Sequence, residues 1–251
     1  MNVGQAAIVL VVGVVAGALN SVAGGGTTIT YPTLVFIGLN PIVANATSTL
    51  ALWPGYVAAT AGFRRELVGT RRLLLELALP SLAGGIIGAI LLLLTPNHAF
   101  ELLAPFLILM AAVLLLLQDL RPGAPHADRV PRATAGLLAW QFGAAVYGGY
   151  FGAGLGFVLL VGYGMFGNRD YLQSSGLKNA TTVLINGIAL VYFIAQGKIV
   201  WAEGLAMAIG ATAGGYSGAS IARRVGARRL RRFVVVLGFA FAIALLVKAL
   251  A

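Results

Sequence analysis

Ala23-Gly24-Gly25-Gly26-Thr27-Thr28 breaks an apolar run, and Asn45-Ala46-Thr47-Ser48 follows it closely. The pattern returns later: Phe151-Gly152-Ala153-Gly154 breaks another apolar run, and Asn179-Ala180-Thr181-Thr182 follows. Lipid offers backbone groups no hydrogen-bond partners, so glycines at membrane depth are tolerated only where protein or a polar cavity covers them. If the chain spans a membrane, these paired breaks and polar tetrads mark a substrate site.

Composition decides the solvent. Of 251 residues, 59% are hydrophobic and only 10% charged, and the mean hydropathy is +0.93, beyond what a soluble domain needs. A bilayer core of about 30 Å takes roughly 20 apolar residues as helix, and such runs recur along nearly the whole chain with short polar gaps. There is no cysteine, hence no disulfide, thiolate nucleophile or cysteine-bound metal. The net charge of +10 resembles a nucleic-acid signal until the charges are placed. They lie at helix ends.

The first apolar span covers residues 4–22, and no Lys or Arg precedes Arg64. It is read as a retained helix with its N-terminus outside, not a cleaved signal. Residues 27–39, with Pro32, are too few for a perpendicular crossing and predict a short helix or half of a re-entrant hairpin. Gly38-Leu39-Asn40-Pro41 turns the chain into a helix running to about Gly62. Spans follow near 73–95 and 99–118. A polar stretch over 119–132 links a first repeat, 1–118, to a second, 133–251. Spans in the second repeat fall near 133–151, 155–166, 172–195, 202–222 and 230–250.

Three motif pairs recur in the same order. Ala23 to Gly26 match Phe151 to Gly154, Asn45 to Thr47 match Asn179 to Thr181, and Ala83 to Ala89 match Ala213 to Ala219. Gly84, Gly85 and Gly88, with Gly214, Gly215 and Gly218, are read as packing positions that let helices approach closely. Charge then orients the halves. Arg64, Arg65, Arg71 and Arg72 flank one loop, against Lys198 alone in its counterpart. The 95–100 loop has no Lys or Arg, against six Arg between 222 and 232. Under the positive-inside rule, equivalent loops face opposite sides. The expected fold is an all-α polytopic membrane protein of about 10 hydrophobic segments in two inverted-topology repeats, each with a glycine-broken helix pair, and with both termini outside. The arginine clusters are topology determinants.

The order of glycine-rich break, Pro32 in a short apolar segment, the Gly38 to Pro41 turn and the Ala44 to Ser48 element Ala-x-Ala-Thr-Ser resembles the sulfite exporter TauE/SafE family of membrane permeases. The resemblance covers essentially the whole chain. The second half departs from it, with no proline matching Pro32 and a longer interval before Asn179. The resemblance implies movement of sulfite, sulfonates such as sulfoacetate, or related small anions across the bacterial inner membrane.

Helices that begin in mid-membrane present unpaired N–H groups and a positive dipole end, and Thr, Ser and Asn add donors. The expected anion cradle comprises Gly24, Gly25, Gly26, Thr27, Thr28, Asn45, Thr47 and Ser48, joined from the other half by Gly152, Gly154, Asn179, Thr181 and Thr182. Each Asn or Thr has an alternative reading as an interhelical hydrogen bond. Lys178 is either a counter-charge for the anion or an interfacial anchor. Glu76 is read as a helix-end ion pair with Arg71 or Arg72 rather than a proton-coupling carboxylate. Trp53, Trp140, Trp201, Tyr147, Tyr150 and Tyr192 either line the path or anchor and pack.

An enzyme needs a nucleophile with a base or a metal cluster, and His98 and His126 are the only histidines. A cation transporter would carry acidic residues inside its spans. A scaffold would not need two glycine-broken polar sites. The leading expectation is an anion permease, with export favoured by the usual membrane potential; the alternatives are a cation or other small-solute transporter, or a non-transporting membrane scaffold. The expected partners are a small anionic substrate and membrane lipid, with no nucleic acid, cofactor or metal; a homodimer is left open.

Overall fold

The computed structural model describes residues 3–22, 24–118, 133–166, 171–221 and 227–250. They form ten α-helices: α1 (Val3–Val22), α2 (Thr27–Phe36), α3 (Pro41–Gly62), α4 (Arg71–Leu94), α5 (Asn97–Gln118), α6 (Ala135–Tyr150), α7 (Leu155–Met165), α8 (Tyr171–Ala195), α9 (Trp201–Ile221) and α10 (Ala227–Leu250). Among the described residues there is no strand. The expected linker over 119–132, which includes His126, lies outside the described residues, as do Ala23, the surroundings of Gly218 and the arginine side chains between 222 and 232.

Helix boundaries fall where local chemistry puts them. Asn40 caps α3 by accepting from the Ile42 N–H at 3.1 Å, and Pro41 occupies the first turn, where a missing N–H costs nothing. Thr134 caps α6 in the same way, accepting from the Leu137 N–H at 3.2 Å. Among the described residues, Arg71–Leu94, Asn97–Leu117 and Leu172–Ala195 are each long and apolar enough to cross a membrane. The stretch expected as a short helix or re-entrant half resolves into α2, 10 residues long. At 1.5 Å per residue it covers about 15 Å, half a bilayer core.

Close glycine contacts fix the relative directions of the helices. A Cβ on Gly13 would fall on Met207 and one on Gly17 on Ala211, so α1 runs parallel to α9. Gly204 lies against Leu50 and Gly215 against Gly55, so α3 runs with them. Elsewhere in the bundle Gly84 meets Phe142 and Gly88 meets Val146 and Tyr150, making α4 parallel to α6. Trp53 donates from Nε1 to the Val183 carbonyl at 3.1 Å, while Phe63 packs on Gly176. The α3 and α8 helices are therefore antiparallel. The packing around α9 corresponds to that around α4: α1 and α3 clasp α9 as α6 and α8 clasp α4, and α5 packs on α10.

At one end Tyr31, Phe100, Tyr150 and Phe151 form a cluster of edge-on rings with centroids 5.3–6.0 Å apart. The cluster brings α2, the start of α5 and the end of α6 into one apolar core. Such pairs contribute about 0.5–1.5 kcal/mol each beyond their buried area.

Candidate functional site

The two glycine breaks have the same backbone geometry. Gly24 and Gly152 both adopt φ +76°, a region that disfavours side chains. Each donates its N–H five residues back, Gly24 to Leu19 at 3.3 Å and Gly152 to Tyr147 at 3.2 Å. A Cβ on Gly24 would sit 3.0 Å from the Gly156 Cα, so the first break lies directly against the first turn of α7. Gly25 rests on the Leu115 side chain and Gly154 on the Ala111 backbone, which puts α5 behind both breaks.

Most donors of the expected glycine cradle are taken up by the protein itself. The Gly26 N–H bonds to Asn20 Oδ1 at 2.6 Å. Tight turns then join the Thr28 N–H to the Gly25 carbonyl at 3.0 Å and the Leu155 N–H to the Gly152 carbonyl at 3.1 Å. Thr27 is buried at the start of α2, and Thr28 points its methyl toward Gly238 of α10 with its hydroxyl unpartnered.

Unpartnered polar groups concentrate on α8. Ser175, Lys178, Asn179 and Thr182 stand at spacings that place them on one helix face, and all four are buried. Ser175 Oγ, both polar atoms of the Asn179 amide and Thr182 Oγ1 have no hydrogen-bond partner. Lys178 is 1% exposed, and its side chain's one polar contact among the described residues is a long one, 3.5 Å from Nζ to the Asn20 carbonyl oxygen. Asn20 Nδ2, beside the Tyr56 phenol, also lacks a well-formed hydrogen bond. The ion pair found among the described residues, Arg72 Nε to Glu76 Oε1 at 2.9 Å, lies at the exposed start of α4. Glu76 is thus the helix-end partner that its spacing predicts, and no described carboxylate pairs with Lys178. A buried ammonium with no counter-ion is costly, and here unpartnered groups of Ser175, Asn179 and Thr182 share its helix face.

The first-half tetrad has a different environment. Asn45 donates from Nδ2 to the Tyr150 carbonyl at 3.0 Å, Ser48 shares a 2.6 Å bond with Thr30, and Thr47 accepts from the Val200 N–H at 3.1 Å. From the Trp53 to Val183 contact, eight residues of α3 and four of α8 separate Asn45 from Asn179 by about 18 Å along the axes at 1.5 Å per residue. The structure therefore does not bring the two tetrads into one constellation. Matching the two breaks sets Thr30 against Val158, so Thr182 lacks the hydroxyl partner that Ser48 has.

Thr181 also turns away from the stripe. It donates to the Tyr163 hydroxyl at 2.9 Å, with the Leu177 carbonyl, also at 2.9 Å, as its alternative acceptor. Tyr163 donates to Gln141 Oε1 at 3.1 Å, Gln141 Nε2 to Ser81 at 2.9 Å, and Ser81 to the Leu77 carbonyl at 2.6 Å. This satisfied chain ties α7 and α8 to α6 and α4. Tyr163→Phe is expected to cost about 1–2 kcal/mol, seen as a lower Tm in detergent with transport retained. The aromatic residues mostly act as packing: Trp53, Trp140 and Tyr147 each donate to a backbone carbonyl, of Val183, Val158 and Ala153 respectively.

Sequence reasoning missed Asn20 and Ser175. Asn20 was legible as a polar residue in an apolar helix shortly before the break, and Ser175 as the i−3 neighbour of Lys178. A polytopic helical bundle with a buried polar stripe at a broken helix belongs to the class of membrane transporters. More narrowly, the chain belongs to the sulfite exporter TauE/SafE family, whose sequence profile matches residues 9–245. It is 29% identical over 248 residues to "Probable membrane transporter protein ORF9" of Sinorhizobium sp, covering 96% of this chain and 92% of that one. It is also 29% identical over 238 residues to "Probable membrane transporter protein YfcA" of Escherichia coli K12, covering 91% of this chain and 85% of that protein. A "Probable membrane transporter protein" of Haemophilus influenzae is 26% identical over 233 residues. Family and relatives make the chain a transporter, not an enzyme.

Proposed function

We propose that the protein moves a small sulfur-containing oxyanion, sulfite or a sulfonate such as sulfoacetate, out across a bacterial inner membrane. The supporting observation is Lys178: a buried cation with no carboxylate partner among the described residues, on a stripe where Ser175, Asn179 and Thr182 have polar side-chain atoms without a hydrogen-bond partner there. Lys178 supplies the counter-charge, and Asn20, Ser175, Asn179 and Thr182 supply directed hydrogen bonds. A cation transporter would need acidic ligands where this stripe has none. In this reading the halves form an inverted repeat with both termini outside, and access alternates as one half moves against the other. An inside-negative potential drives each negative charge outward by about 2.3 kcal/mol per 100 mV, so export needs no coupling ion.

Uptake of labelled sulfite into proteoliposomes under an inside-positive potential tests this proposal. Saturable uptake that competes with sulfoacetate is expected. Absence of uptake for sulfite and sulfonates alike would overturn it.

A further inference from the structure

Asn20 stands between the α8 stripe and the first glycine break. Its backbone carbonyl takes the 3.5 Å contact from Lys178 Nζ, while its side-chain Oδ1 accepts from the Gly26 N–H at 2.6 Å. A Cβ on Gly26 would lie 2.6 Å from Asn20 Nδ2 and 2.9 Å from Oδ1, so the amide rests on the break and neither shifts without the other. Asn20 Nδ2 itself has no hydrogen-bond partner among the described residues.

The line of hydrogen bonds continues beyond Gly26. The Gly26 carbonyl accepts from the Thr30 hydroxyl at 3.1 Å, and with that proton committed, Thr30 Oγ1 accepts from Ser48 Oγ at 2.6 Å. Thr30 and Ser48 are both buried. Lys178 on α8 is thereby joined through Asn20, Gly26 and Thr30 to Ser48 of the α3 tetrad, which the stripe itself does not reach. The element between them is α2, only 10 residues long. It lies between glycines of positive φ, Gly24 at +76° and Gly25 at +113° before it and Gly38 at +106° after it, positions where the backbone can change angle at least cost.

We propose that, on the reading that the stripe holds an anion, Asn20 is the positioning residue that passes occupancy of Lys178 to α2 and so to α3. An arriving oxyanion draws the ammonium off the Asn20 carbonyl and accepts from Asn20 Nδ2, on an amide whose oxygen is already fixed to Gly26. The ligand therefore interacts differently with two positions of the break, as any coupling of a site to a conformational change requires. Thr30 and Ser48 carry that change to α3 without touching the ligand.

Sulfite uptake kinetics in proteoliposomes of the full chain, with Ser48→Ala and Thr30→Val, test this. Ser48→Ala removes the last link and strands no group, since Thr30 still donates to Gly26. In both variants the maximal rate is expected to fall at least about fivefold, one hydrogen bond's worth of coupling. The half-saturating concentration and the rise in melting temperature on adding sulfite are expected to be retained. Thr30→Ser keeps the hydroxyl and is expected to keep the full rate. An unchanged maximal rate in either folded variant, a change confined to binding, or an equal loss in Thr30→Ser overturns the coupling and leaves the anion permease standing. Failure of both variants to fold makes the line a packing feature and overturns the coupling as well. Absence of uptake of sulfite and sulfonates alike by the unmodified protein overturns the permease reading and this inference with it.

Discussion

Lys178→Met is expected to lower sulfite uptake by at least about 30-fold, the equivalent of roughly 2 kcal/mol for truncating one member of a buried charge pair. The same substitution should leave the melting temperature in detergent unchanged or raised. In the empty protein the ammonium is buried with one long contact to the Asn20 carbonyl, and removing an uncompensated charge relieves its desolvation cost. Opposite signs for activity and stability distinguish a ligand-binding lysine from a structural one. Lys178→Arg keeps the charge but brings a wider, planar group, and partial uptake is expected. Proteoliposome uptake measured beside a thermal melt of each variant checks this. Full uptake with a lowered melting temperature would make Lys178 a packing or anchoring residue.

Gly88→Val is expected to prevent assembly of a stable, monodisperse protein. The Cβ would collide with the Val146 carbonyl and lie 2.7 Å from the Tyr150 N, both backbone atoms that no rotamer change can move. Close approach of small residues is the main source of helix association in lipid. Forcing this crossing open is expected to cost at least 3 kcal/mol, beyond the roughly 1–3 kcal/mol typical of an overpacked core. The same holds on the other side of the molecule for Gly214→Val, whose Cβ would fall 2.9 Å from the Val14 Cα. Gly143→Ala is the control, since a Cβ there meets nothing within 4 Å. Size-exclusion profiles and melting temperatures read the result; a monodisperse Gly88→Val protein with normal stability would refute the packing account.

Hydropathy and punctuation made most of the fold legible. Pro41 opens α3, and the breaks at Gly24 to Gly26 and Gly152 to Gly154 end α1 and α6 just before α2 and α7 begin. The small-residue motifs around Gly84 and Gly214 lie at the tightest helix crossings. Lys178 stood out as the one basic residue beside a polar tetrad.

What distinguishes the tetrads was not legible, because it depends on partners far away in sequence. Asn45 and Asn179 look equivalent, yet Asn45 donates to a carbonyl 105 residues distant while the Asn179 amide is unpartnered. Thr47 and Thr181 match in sequence, but one accepts from Val200 at the foot of α9 and the other joins Tyr163. The glycine N–H groups looked open because local turn geometry, which spends them on Leu19, Asn20 and Tyr147, has no sequence pattern of its own.

The most direct measurement is the position of a bound anion. Selenite has the pyramidal shape of sulfite and scatters X-rays anomalously. In crystals of the protein grown with selenite, a selenium peak is predicted within about 4 Å of Lys178 Nζ, the reach of a charge-assisted contact, between Asn20 of α1 and the Ser175 to Thr182 face of α8. A peak confined to the exposed arginines at the start of α4, with none at Lys178, would contradict the account.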